Sequence, residues 1–198
     1  MNDSYFDEVD GVARYMGKVV AICGMPGSGK GEFANLMAEH EIPVRSMGDM
    51  VRAEVNHRQL AETPTIYGEV ATELRMEFGE DVLAVRLADE VDRLLETNPL
   101  VFIEGMRGIA EYNVFSSRWG VSFTTLAISA SQDMRYRRTQ IRGRAEDGNY
   151  QQFLIREQRE SGWGLQTLID SADYTINNDG SLKEFSNLCN QWLISLNS

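Results

Sequence analysis

Eight consecutive residues, Gly24-Met25-Pro26-Gly27-Ser28-Gly29-Lys30-Gly31, have the types and the spacing to hold a chain of phosphates. Their pattern is G-x-x-x-x-G-K. Glycines let backbone N–H groups converge on phosphate oxygens, a helix N-terminus adds partial positive charge, and Lys30 reaches the outer phosphates. The same letters could also make a glycine-rich turn with an incidental lysine, and context separates the two. Val19-Val20-Ala21-Ile22-Cys23 reads as a buried strand, and Glu32-Phe33-Ala34-Asn35-Leu36-Met37-Ala38-Glu39 as a helix. Strand, loop and helix start together predict a nucleoside triphosphate held by residues Gly24 through Glu32. Position 31 departs from the general pattern: it is Gly, where most such loops offer Mg²⁺ a Ser or Thr hydroxyl.

The surrounding elements must position that loop. Ile42 to Ser46 reads as a second short strand, followed by a turn at Met47-Gly48-Asp49, with Asp49 able to cap a helix through about Leu60. Helical patterns follow over Ile66 to Phe78 and Asp81 to Leu95. Leu100 to Ile103 is an apolar strand running into Glu104-Gly105. Gly108 to Trp119 reads as helix and Phe123 to Ile128 as a fourth strand. Next come an arginine-rich helix from about Gln132 to Arg142, a loop from Gly143 to Asn149 and a helix from Tyr150 to Ser161. Tyr174 to Ile176 is a fifth strand and Leu182 to Leu196 the last helix. Strands alternating with helices imply a parallel sheet covered on both faces.

In such sheets ligands gather outside the carboxyl ends of the strands. Those ends carry the glycine loop, then Met47-Gly48-Asp49, Glu104-Gly105-Met106-Arg107, the arginine helix, and Asn177-Asn178-Asp179-Gly180. Each has an ordinary reading beside the functional one. Asp49 could be only a helix cap. Glu104 could pair with an Arg, and Arg52 and Arg107 could sit in surface ion pairs worth about 0.2–1 kcal/mol each. Asn177 and Asn178 could be turn formers. His40 and His57 stand alone, with no ligand spacing.

At 198 residues the chain is expected to be one domain with a sizeable core. Residues 1–17 are acidic and read as a flexible extension or loosely docked turn ahead of a domain over 18–198. No apolar run approaches a membrane span, and no hydrophobic signal segment stands at the N-terminus. Cys23 and Cys189 are expected in the core of a protein of the reducing cytoplasm. A net charge of −11 argues against nucleic acid and anionic membranes as partners. The cations are nevertheless sixteen Arg to three Lys, and Arg is the better phosphate ligand. Seven of them lie between Arg135 and Arg159, opposed there by Glu146, Asp147 and Glu157, which predicts a site for something anionic.

Several of these segments resemble known nucleotide kinases. Gly27-Ser28-Gly29-Lys30-Gly31 is similar to the loop of adenylate kinases, which also carry Gly after the Lys; they usually place Thr next, and here it is Glu32. Ser46-Met47-Gly48-Asp49-Met50-Val51-Arg52 resembles their acceptor-binding turn and helix, which implies that Arg52 grips the acceptor phosphate. Glu104-Gly105-Met106-Arg107 resembles their acidic-Gly-x-x-Arg segment with one residue fewer. Arg138 and Arg142 resemble the arginine pair at the start of the lid, and Asp147 and Arg156 its closing pair. Ala172-Asp173-Tyr174 through Ser181-Leu182 is similar to the adenine-binding segment of dephospho-coenzyme A kinases and nucleoside monophosphate kinases. Over about residues 18–196 the chain most resembles a largely archaeal family of adenylate-kinase-like P-loop proteins, which carries over a fold and no substrate.

The resemblance implies a three-layer α/β kinase with parallel strand order 2-3-1-4-5, an acceptor-binding helical insert at about 48–97 and a short lid at about 143–156. Lys30 and the loop amides would hold the β- and γ-phosphates, with Asn178 and Gly180 at the base. Glu104 and Asp49 would organise Mg²⁺ through water. Arg52, Arg107 and Gly105 would hold a small nucleotide-like acceptor. Arg138 and Arg142, with Arg144 and Arg156, would close on the transferring group. Transfer to a hydroxyl, as in dephospho-coenzyme A kinases, would need Asp49 as base. A nucleotide-dependent switch or assembly ATPase is the reading from another class; the acidic N-terminal extension favours it, and an acceptor-like segment with its own Arg is superfluous to it.

Overall fold

The computed structural model describes residues 6–9, 12–15 and 17–196. Within the acidic extension, β1 (Phe6–Val9) and β2 (Val12–Tyr15) pair antiparallel. Residues 1–5, 10, 11 and 16 of that extension lie outside the described residues.

From residue 18 onward strands and helices alternate. β3 (Lys18–Cys23) leads through the glycine loop into α1 (Lys30–Glu39), and β4 (Val44–Ser46) into α2 (Met47–His57). Two further helices, α3 (Ile66–Phe78) and α4 (Val82–Leu95), precede β5 (Leu100–Glu104) and α5 (Ile109–Trp119). β6 (Phe123–Ser129), α6 (Gln132–Arg142), α7 (Tyr150–Gly162), α8 (Leu165–Asp170), β7 (Tyr174–Asn177) and α9 (Leu182–Leu196) complete the chain.

The five strands from β3 onward form one parallel sheet in the order β4-β5-β3-β6-β7, the expected 2-3-1-4-5. Successive side chains of a strand point to opposite faces. Val19, Ala21 and Cys23 of β3 therefore pack into one apolar cluster, with α2, α3, α4 and α5, while Val20 and Ile22 pack into another with α1 and α9. All five are fully buried. A strand covered on both faces reads as a continuous apolar run, which is why Val19–Cys23 shows no alternation.

Two details differ from expectation. α2 begins at Met47, directly from β4, so Asp49 lies in its first turn and does not cap it. Ser46 stands at the cap position, but its hydroxyl is committed elsewhere and makes no capping bond. α8 was not anticipated: six residues are too few for a 3.6-residue period to emerge, and its Leu165 and Leu168 are recognisable only by their burial.

Candidate functional site

Strand register gathers the polar residues at one edge of the sheet. Ile22 lies opposite Glu104 and Leu126, Ser46 opposite Glu104, and Ser129 opposite Asn177. The loop after β3 thus emerges between Glu104 on one side and Asn177-Asn178 on the other. Asn178, nearly buried, donates from its amide nitrogen to the Ser28 carbonyl at 2.8 Å and from its backbone N–H to the Ser129 carbonyl at 2.7 Å.

The loop tolerates nothing bulkier than glycine at its turns. Gly27 has φ 79°, and a Cβ there would stand 2.4 Å from the Arg135 carbonyl oxygen. Gly29, at φ 111°, is the residue from which α1 starts, and a Cβ there would meet the Asn178 amide at 2.2 Å. Both conformations favour glycine. Gly31 differs: a Cβ there would meet nothing within 4 Å. Inside the loop the Ser28 hydroxyl is fully buried without a hydrogen-bond partner. Lys30 turns back on its own loop, donating to the Gly24 carbonyl at 2.6 Å and the Met25 carbonyl at 3.2 Å. Burial pulls its ammonium down to about 8, against the opposing pull of Glu104. A buried ammonium held only by carbonyls, a buried hydroxyl with no partner and glycines packed without room for side chains all suit a bound phosphate chain.

Glu104 accepts from the Ser46 hydroxyl at 2.8 Å. Burial would raise its carboxyl, but Lys30 and Arg107 hold it below the usual range, so it is ionised. An ionised carboxylate beside the phosphate lysine suits a role toward Mg²⁺ through water. Asp49 is not brought to it. That carboxylate is exposed and accepts from Arg52 at 2.8 Å. Among the described residues no group of three or more His, Cys, Asp or Glu side chains could hold a metal ion. Met25, Pro26 and Glu32 lie on the loop and the first turn of α1, with the Pro26 carbonyl accepting from Arg135 at 3.3 Å.

A cleft opens among α2, α3, α7 and the turn that carries Arg107. Five arginines line it, Arg52, Arg75, Arg107, Arg156 and Arg159, against two carboxylates, Glu146 and Glu160. Arg107 bonds the Gly105 carbonyl at 2.6 Å and Glu160 at 3.1 Å. Arg156 donates to Glu160 at 2.9 Å and lies 3.5 Å from Asp147. Burial opposes ionisation of Glu160, yet Arg107, Arg156 and Lys30 outweigh it and bring its carboxyl down to about 2. Arg52 reaches across to Glu146 at 2.9 Å.

The lid pair divides. Arg142 holds Asp147 at 2.9 Å, and the Arg144 N–H donates to the same carboxylate at 3.1 Å. Arg138 points the other way, to Asn178 at 3.2 Å and the Gly180 carbonyl at 3.4 Å, with its Nη1 buried and unpartnered. The expected site residues thus fall into separate groups. Arg52, Arg107 and Arg156 line the cleft, Arg142 and Arg144 meet at Asp147, Glu104 stands at the end of β5, and Arg138, Asn178 and Gly180 cluster together.

Sequence reasoning gave no role to Arg75, Arg135, Glu146, Arg159 or Glu160. Arg135 ion-pairs with Glu157 and braces the loop at Pro26. Arg75 is buried against Glu111 at 2.7 Å and lies over the Trp163 ring. The clustering of seven arginines was the visible signal for Arg135, Arg159 and Glu146; Arg75 and Glu160 had none.

A family model described as an AAA domain matches residues 23–153. The chain is 40% identical over 172 residues to a UPF0200 protein of Methanosarcina acetivorans, covering 86% of this chain and 90% of that one. It is 36% identical over 180 residues to a UPF0200/UPF0201 protein of Archaeoglobus fulgidus, of which it spans 56% while 90% of this chain is covered. Among solved structures, TT1252 from Thermus thermophilus superposes with a TM-score of 0.60 at 21% identity, over 91% of this chain and 98% of that one. Shikimate kinase from Acinetobacter baumannii, in complex with shikimate, gives 0.59 at 17% identity, over 90% and 94%. At such identities the likeness is one of fold.

Proposed function

Because this chain belongs to the AAA-domain family and is a relative of the UPF0200 proteins, we propose that it transfers the γ-phosphoryl of ATP to a small phosphate-bearing, nucleotide-like acceptor. One observation carries the reading: a cleft lined by five arginines and two glutamates opens at Arg107, two residues beyond Gly105, whose N–H donates to the Ile22 carbonyl just ahead of the glycine loop. That much cationic charge exceeds what a neutral acceptor needs, and Arg matches phosphate bidentately.

In this reading Lys30 and the amides of Gly27 to Gly31 hold the β- and γ-phosphates, and Asn178 and Gly180 flank the base. Arg52 and Arg107 hold the acceptor phosphate. Its oxygen attacks the γ-phosphorus as the bond to the β-phosphate oxygen breaks, and ADP leaves. Such transfer needs positioning and charge neutralisation more than covalent help. Mg²⁺, when bound, neutralises phosphate charge, and Glu104 would orient its water shell. Arg138 and Arg142 stand on α6, where lid closure would carry them toward the transferring group.

A phosphate acceptor is preferred over a hydroxyl acceptor, because the carboxylate needed as base, Asp49, is exposed and bound to Arg52. Two buried free cysteines, their thiols pushed up to about 11 and about 12 by burial, fit a reducing cytoplasm. Among the described residues no helix is long and apolar enough to cross a membrane.

The test is ATP turnover with and without nucleoside monophosphates and dephospho-coenzyme A, in the parent and in Arg52→Ala and Arg107→Ala. Stimulation by a monophosphate that either variant loses, with ATP affinity kept, supports the kinase. If no small molecule stimulates turnover and the variants match the parent, a switch ATPase takes its place.

A further inference from the structure

Arg159 stands apart from the other arginines of the cleft. Glu160 serves Arg107 and Arg156, Glu146 serves Arg52, and Glu111 serves Arg75. No carboxylate lies within ion-pair distance of Arg159 among the described residues, and its buried Nε has no hydrogen-bond partner. Its nearest aromatic contact is the rim of interaction with Trp163 at 5.9 Å, and Arg75 already covers that ring at 4.2 Å. Burial depresses its basicity, Glu160 opposes that, Arg156 and Arg107 depress it further, and Glu69 opposes them in turn.

The opposite wall is shaped to this guanidinium. A Cβ on Gly68, in the first turn of α3, would lie 2.0–2.3 Å from its carbon and terminal nitrogens. Ala is the better helix former, so the missing methyl is costly to α3 and useful only to what lies on it. A half-buried guanidinium with no ion-pair contact among the described residues, seated on a helix that makes room for it, has donors free for a ligand.

We propose that Arg159, seated on Gly68, is a second anion seat in the cleft, so that the acceptor carries another phosphate or carboxylate besides the group held by Arg52 and Arg107. This inference rests on the acceptor reading above, and it narrows the acceptor to a small molecule with two anionic groups, such as a nucleoside bisphosphate.

The experiment saturates the nucleotide site with a nonhydrolysable ATP analogue and titrates, by calorimetry, adenosine 5′-monophosphate and its 2′,5′- and 3′,5′-bisphosphates. The parent should bind a bisphosphate about tenfold or more tighter than the monophosphate, the worth of one charge-assisted contact. Arg159→Gln should erase most of that preference and leave monophosphate affinity unchanged. Gly68→Ala should do the same through displacement of the guanidinium, with helix content and melting temperature at least those of the parent. A parent without the preference, or a preference that survives in Arg159→Gln, overturns the second seat. The acceptor reading fails separately, if Arg52→Ala binds the monophosphate as the parent does.

Discussion

Arg52 on α2 donates through Nη2 to the Glu146 carboxylate of the lid loop at 2.9 Å, a bond across 94 residues that joins the two walls of the cleft. Glu146 is nearly buried there, and its own backbone N–H together with Arg52 holds its carboxyl in the ionised form against the cost of burial. An acceptor phosphate taken by Arg52 must displace this carboxylate. The lid thus presents an internal anion to the cation that an acceptor would use.

Glu146→Gln should therefore weaken the latch and lower the KM for the acceptor about three- to tenfold, equivalent to roughly 1 kcal/mol of competition removed. Melting temperature should fall modestly, because one ion pair is lost. Steady-state kinetics of the variant decide it: an unchanged or raised KM would mean that Glu146 does not compete for Arg52.

Lys30→Ala removes the one ammonium aimed into the glycine loop. Transfer should fall by at least about 10²-fold, as when a preorganised charge is taken from a transition state. The fold should survive, since Lys30 bonds only to the Gly24 and Met25 carbonyls at the loop rim. Far-ultraviolet dichroism with a phosphoryl-transfer assay checks both halves, and transfer within a few-fold of the parent would remove the lysine from the mechanism.

The metal is addressed at Glu104 and Gly31. Glu104→Gln should raise the Mg²⁺ concentration needed for half-maximal activity while ATP still binds. Space at Gly31 is open, so Gly31→Ala should be neutral or stabilise the protein by up to about 1 kcal/mol. Gly31→Ser, which supplies the missing hydroxyl, should lower the Mg²⁺ requirement. Mg²⁺ titrations that coincide for all four proteins would place the metal away from both residues.

Glu160 makes stability depend on acid. Its folded-state value of about 2 lies below the ordinary carboxylate value, so the unfolded chain takes up its proton first. Its contribution is then complete above about pH 4.5 and is lost as pH falls toward 2, on the order of 3 kcal/mol across that window. Glu160→Gln should be strongly destabilised at pH 7, with Arg107 and Arg156 left facing each other, and the gap from the parent should close between pH 4.5 and 2. Denaturant titrations at pH 7, 4.5 and 3 measure this; a constant gap would mean that Glu160 is not ionised by its arginines.

Most of the architecture was legible because its causes are local. A run such as Val19–Cys23, the glycines after it and the apolar spacing of α3 and α4 each state their conformation within a dozen residues. The alternation of such segments, with the resemblance they carry, then leaves few sheet orders open, and β4-β5-β3-β6-β7 is the one found. The loop's place among Glu104 and Asn178 follows from strand ends, which sequence reasoning can locate.

The partners of the arginines were decided only by the tertiary structure. Arg135 finds Glu157 across 22 residues, Arg75 finds Glu111 across 36, and Arg107 finds Glu160 across 53, while Arg159 finds no carboxylate within ion-pair distance among the described residues. Each outcome depends on how α3, α6 and α7 are rotated and how closely they pack against the sheet edge. An ion pair is made or missed over a few ångströms, whereas the signals that place a helix are indifferent to shifts of that size. The chain by itself therefore announced a phosphate loop and an arginine-rich partner site. Which cations are neutralised there, and which has no ion-pair partner among the described residues, was decided when the helices docked.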